Sequence, residues 1–186
     1  MDSIVGLVAV FGLILVNAFF VTAEYSLVSV RRSRIETLVE EGNATAAIVR
    51  QAIHELDRYI ATTQLGVTIA SLGLGWVGEP ALGHIIEPIV EAILEPVLHL
   101  LPEGTTKAVS GTAIGGVIAF IIITIMDVVM AELVPKSVAL QDPERTSLWI
   151  ARPITWAASL FRFPIWLLNG MANALLRLLG VHPAGG

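Results

Sequence analysis

From Ser3 to Ala23 the chain carries no charged residue. At ~1.5 Å per helical residue such a run covers the ~30 Å hydrocarbon core of a bilayer. A second uncharged run extends from Tyr59 to Gly78, and a third lies between Lys107 and Asp127, continuing with two acids to Lys136. Charged residues make up 15% of the chain, where a soluble domain carries roughly a quarter. The deficit is gathered into these runs, which is the pattern of a bilayer rather than of a large core. The first run has no basic segment before it and no small-residue cleavage site, so it reads as a retained span and not as a signal peptide. The expected fold is an all-α integral membrane protein with three transmembrane helices.

Basic residues orient those spans. Ten of the eleven Lys and Arg lie within 31–58 and 136–177, and only Lys107 lies between the second and third runs. An external N-terminus and a cytoplasmic C-terminus place both basic segments in the cytoplasm. The expected organisation is a transmembrane domain over 1–147, with a charged cytoplasmic helical hairpin at 31–58 that turns near Gly42 and Asn43. The external connection spans 79–107. There Glu79-Pro80, Glu87-Pro88 and Glu95-Pro96 recur every eight residues, and Glu87, Glu91 and Glu95 share one helical face. That face is either simply solvated or a vestibule that attracts cations. Within 148–182, Arg152, Arg162 and Arg177 leave charge-free gaps of only nine and fourteen residues, and Pro153 and Pro164 interrupt further. With Trp149, Trp156 and Trp166 these features describe juxtamembrane amphipathic belt helices, the rival being a kinked fourth span.

Charges inside a span cost several kcal/mol and usually face a partner or a cavity. Glu24, Asp127 and Glu132 are the three candidates, and no basic residue stands at matching depth. Glu24 is either a functional acid or the partner of Arg31, seven residues on along the same face. Glu132 lies beside Pro135, which lacks an N–H and in an α-helix leaves the carbonyl of Ala131 unpaired. Carboxylate and carbonyl are hard oxygen donors of the kind Mg²⁺ and Na⁺ accept. The alternative is a proline that merely ends the helix, with Glu132 reaching water. Asp127 precedes Glu132 by five residues, about 140° around an α-helix, so the two do not readily share one ion. With Glu24 and Asn17 it is a candidate for a coupling or second ion site, for Na⁺ or a proton, the alternative for Asp127 being a dimer interface.

On the second run Gln64, Thr68, Ser71 and Gly75 form one polar face, and Gly73 and Gly75 can tolerate a break that exposes carbonyls. Close packing through small residues is the competing explanation. On the first run Thr22, Ser26 and Ser29 make a similar face with Asn17 deeper, although serine hydroxyls often bond their own helix. All four histidines lie outside the runs and there is no cysteine, which argues against a zinc or copper site. The donor set suits a hard cation. No metalloprotease or serine–histidine arrangement points to an enzyme, and with a net charge of −5 no basic stripe points to nucleic acid.

Three stretches resemble the CorC/cyclin M transporters: Asn17-Ala-Phe-Phe-Val-Thr-Ala-Glu24-Tyr-Ser26, Ala61 through Gly73-Leu-Gly75-Trp76 to Pro80, and Glu132-Leu-Val-Pro135-Lys136. A weaker match continues through Pro164-Ile-Trp-Leu-Leu-Asn169. The resemblance implies a homodimeric, multi-pass domain of the inner (plasma) membrane that exports Mg²⁺ from the cytoplasm, coupled to Na⁺ entry. By that similarity a largely dehydrated Mg²⁺ sits between the helices, held by Thr22, Ser26, Ser71, Glu132 and main-chain oxygens near Gly73 and Ala131. Mg²⁺ demands octahedral oxygen geometry at ~2.1 Å and sheds water reluctantly, so a closely fitted site is required. Two departures stand out: the family more commonly has glycine where Ala131 stands, and its cytosolic nucleotide-binding CBS pair is absent from a chain that reads as a fragment. A Mg²⁺-binding sensor or scaffold that regulates another transporter is the alternative function.

Overall fold

The computed structural model describes residues 3–98 and 111–178, and within them every element is helical. The side chains of residue 3 and of 84, 87, 91, 94–98, 111–114 and 177 lie outside that description. The helices are α1 (Ser3–Ser29), α2 (Arg32–Glu40), α3 (Ala44–His54) and α4 (Leu56–Leu98), then α5 (Gly111–Met126). A π-helical segment, Asp127–Leu133, follows α5 and leads into α6 (Val134–Gln141), α7 (Pro143–Leu160) and α8 (Arg162–Leu178). Three stretches are long and apolar enough to cross a membrane: Ile4–Ser29, Leu56–Gly83 and Gly115–Gln141. The protein is therefore an all-α membrane protein of three spans.

The chain divides into two compact units, one of residues 1–22 and 66–138, the other of 23–65 and 139–186. In the first, Val10 and Ile14 of α1 meet Leu74 and Ala81 of α4, Ile123 of α5 and Ala131 of the π segment, with Leu13, Leu82 and Met126 packed around them. Phe11, Leu15, Leu72, Trp76, Phe120 and Ile125 are exposed, as residues that face lipid tails should be. Small residues let the helices approach. A Cβ at Gly66 would lie 2.5 Å from the Phe20 ring, one at Gly73 3.2 Å from Leu13, and one at Gly78 2.9 Å from Ile123.

One expectation about α4 is corrected. The helix is not broken at its glycines: it runs without interruption through Gly73 and Gly75 for 43 residues, about 65 Å at ~1.5 Å each. Close packing is what Gly73 provides, whereas Gly75 is open on its outer side. The helix also continues beyond Gly78. Pro80, Pro88 and Pro96 are carried within α4, so the connection expected over 79–107 is helical as far as Leu98. Glu103, Lys107, His99 and His182 lie outside the described residues, as do the side chains of His84, Glu87, Glu91 and Glu95, on which the vestibule reading depends.

In the second unit α2 and α3 form a hairpin. Gly42 takes φ +85°, a left-handed conformation that glycine adopts without a Cβ penalty, and the side chain of Asn43 then accepts from the N–H groups of Thr45 and Ala46 to start α3. Ala46, Val49 and Ile53 recur on one side of α3, and the helix packs against α7, where Ile150, Ala151, Ile154, Ala157 and Ala158 are buried. Asp142 caps α7 through the N–H of Arg145, with Pro143 at the first helical position. Arg34 pairs with Glu144 at 3.0 Å, and the Tyr59 and Thr155 hydroxyls stand 3.2 Å apart. Hydrogen bonds from Gln51 and Arg58 hold the Glu55 carboxyl below its ordinary range. Pro153 does not interrupt α7, and Pro164 sits in the first turn of α8, where a missing N–H costs nothing. The chain turns at Phe161 between them.

Candidate functional site

Three membrane helices of the first unit each contribute one polar side chain to a single cluster. Asn17 comes from α1, Ser71 from α4, and Asp127 is the first residue of the π segment. The Asn17 amide donates one N–H to Asp127 Oδ1 at 2.7 Å and the other to Ser71 Oγ at 3.0 Å. The Ser71 hydroxyl donates to Asp127 Oδ2 at 3.2 Å, so both carboxylate oxygens are engaged. Asn17 is only 3% exposed, and its Oδ1 is buried without a hydrogen-bond partner. An unused acceptor of that kind costs about 1–3 kcal/mol in a dry interior. The cluster thus presents a carboxylate, a hydroxyl oxygen and a vacant amide carbonyl at one place, all hard donors.

Local backbone geometry accounts for Asp127 reaching this place. The N–H of Val134 bonds to the carbonyl of Val129, five residues back, which is the π register. Pro135 follows immediately and has no N–H to offer. In this register the carbonyl opposite the proline is that of Met130 rather than Ala131. Positions five apart lie closer around the helix in this register than in α geometry, and Met126 and Ala131 both pack on the core. Asp127 and Glu132, the next pair, are brought closer in the same way, with Glu132 exposed. The 140° separation expected from α geometry does not apply, and Pro135 shifts the register instead of ending the helix.

The remaining expected residues are placed as follows. Ala131 is fully buried in the core, while Glu132 is exposed. Thr22 donates its hydroxyl to the Ala18 carbonyl at 2.7 Å, within α1. With α4 unbroken, Gly73 has its backbone in a continuous helix and its open side against Leu13. In the second unit Ser26 is fully buried and donates to its own helix at Ala23 O, 3.1 Å away. Glu24 meets Thr63, whose single hydroxyl proton is shared between that carboxylate at 3.0 Å and Ile60 O at 2.9 Å. Arg31 is exposed. Among the described residues no three of His, Cys, Asp and Glu gather as a metal cluster.

Sequence reasoning grouped Asn17 with Asp127 as a possible second ion site but did not join Ser71 to them. The available signal was depth: each is a polar residue well inside an apolar stretch. Thr63 was missed altogether.

Comparison with known proteins gives the same fold context. The chain is 40% identical to the UPF0053 protein YugS of Bacillus subtilis (strain 168), over 96% of its own length and 39% of that protein. It is 42% identical to YhdT of the same organism, over 99% of this chain and 38% of that one. A more distant relative, the polyamine export protein of Haemophilus influenzae, is 26% identical over 94% of this chain and 38% of its own length. The chain thus spans about two fifths of the length of these three relatives. The family model described as the cyclin M transmembrane N-terminal domain matches residues 7–186, and the chain belongs to that family.

Proposed function

We propose that this chain is the cation-handling membrane domain of a transporter that exports Mg²⁺ from the cytoplasm in exchange for Na⁺. The observation that carries the reading is the vacant Asn17 Oδ1 beside the Asp127 carboxylate and the Ser71 hydroxyl, at the meeting of three membrane helices. Buried acceptors left unsatisfied are rare in native proteins, and a cation satisfies this one while neutralising the carboxylate. Glu132, five residues along the same segment from Asp127, supplies a second carboxylate for a divalent ion. A register shift of the π segment is the motion that would let the site load and release. Homodimerisation through exposed apolar helix faces belongs to this reading, as do cytosolic CBS domains in the additional length that the relatives have.

A second substrate has a specific observation in its favour. A primary ammonium offers three N–H donors, and the cluster offers oxygen acceptors from three side chains, while one relative is named as a polyamine exporter. Reconstituting the purified chain in liposomes separates these readings. Mg²⁺ flux that rises with an opposing Na⁺ gradient supports the first, and putrescine flux without Mg²⁺ flux supports the second. Mg²⁺ binding with no flux of either would replace transport with the sensor or scaffold role.

A further inference from the structure

Within the second unit, α2 and α3 leave a shallow recess of about 20 Å³ that opens to solvent. Its floor is Ile35 and Ile53, both buried, and its walls are Arg32, Glu36, Arg50 and His54. Three of the four polar walls are nitrogen donors. The single acid, Glu36, is engaged by Arg50 at 3.4 Å, which occupies one of the five N–H groups of that guanidinium. Arg32 makes no ion pair with the described residues. It is also the first residue of α2, whose amino end receives no side-chain cap, so the partial positive charge of the helix end adds to that of the arginine. An apolar floor under convergent donors fits a compact anion better than it fits an extended peptide.

We propose that the open mouth of this recess, between Arg32, Arg50 and His54, binds a phosphate group. Guanidinium groups match phosphate oxygens in planar, bidentate fashion, and two of them converge with an imidazole here. The setting favours a phosphate carried by a lipid. α3 packs on α7, which exposes Trp149 and Trp156, and α8 exposes Trp166 with Phe163 stacked on it. Exposed indoles concentrate at headgroup level, where basic recesses meet anionic lipid. The site is separate from the cation cluster and does not depend on what the chain transports.

The test uses the full chain in phosphate-free detergent, with inorganic phosphate and phosphatidate as separate probes and phosphatidylcholine as the neutral control. Native mass spectrometry reads retained lipid, and calorimetry reads the free anion. The double variant Arg32→Gln/Arg50→Gln is expected to weaken phosphatidate retention by about tenfold or more, because two charge-assisted contacts are lost. Arg162→Gln, at an exposed arginine outside the recess, is expected to leave it unchanged. Glu36→Gln is expected to strengthen binding, a gain that misfolding does not produce. Calorimetric binding of inorganic phosphate with the same variant pattern but no lipid retention would keep the phosphate site and assign it a soluble source. Equal losses in Arg162→Gln and the recess variant, or no binding of either probe, would overturn the proposal.

Discussion

Asn17 spends both amide N–H bonds inside the protein and leaves its carbonyl unused. That orientation is tied to the charge of Asp127. Rotating the amide would set two acceptors 2.7 Å apart, which only a protonated carboxyl tolerates. Asp127→Asn removes the charge and keeps the shape. It is expected to yield a folded protein whose cation flux in liposomes falls by about tenfold or more, the scale of losing one strong electrostatic contact. Undiminished flux would take the cluster off the ion's route. Asn17→Leu is expected to be worse for stability, by about 1–3 kcal/mol, because Asp127 keeps its burial and loses its best donor. Glu132→Gln is a cleaner probe of transport. The side chain is exposed, so thermal stability should hold while Mg²⁺ efflux is abolished. The chemistry of these positions was legible in the sequence, since a carboxylate or carboxamide at membrane depth demands a partner. Which partners they found was not, because that depends on the register of three helices against one another.

At the scale of the element, one proline and a few glycines decide geometry. Pro135 withholds an N–H just beyond a seven-residue π segment, and the wider turn carries Asp127 to the cluster. Pro135→Ala returns the donor and makes the α register accessible. The variant is expected to lose cation flux while gaining helix stability, and its structure should show Asp127 rotated from Asn17 and Ser71. Flux at the original level with α geometry would sever the π segment from function. The missing N–H was plain from the sequence, but the assumption of i→i−4 bonding assigned its consequence to the wrong carbonyl. The glycines of α4 separate in the same way. Gly66→Ala drives a Cβ into the rigid Phe20 ring and should cost about 1–3 kcal/mol by overpacking. Gly75→Ala meets open space and should stabilise the helix by about 1 kcal/mol. A Gly75→Ala protein that is more stable yet slower in transport would mean that α4 unwinds there during the cycle, the only condition under which the break expected from the sequence has a role.

At the scale of the whole molecule, the number of spans follows from charge placement. Three stretches carry enough apolar length, and α8, at 17 residues, is interrupted by no acid yet begins at Arg162 and contains Arg177. Charges at both ends of so short a helix favour the headgroup plane, where its exposed Trp166, Leu167 and Met171 would meet lipid edge-on. The absence of cysteine from the sequence allows single cysteines to report the topology without background. Glu41→Cys and Ala184→Cys are expected to resist an impermeant maleimide in intact cells and to react once the membrane is opened. Glu103→Cys is expected to react in intact cells. Those three results are expected from basic residues concentrated at 31–58 and 136–177, since the membrane potential and anionic lipid favour such residues on the cytoplasmic side. External labelling at Ala184 with Glu41 still protected would make α8 part of a fourth span. Reaction at Glu41 together with protection at Glu103 would invert the protein, and with it the direction in which a cation leaves the Asp127 cluster.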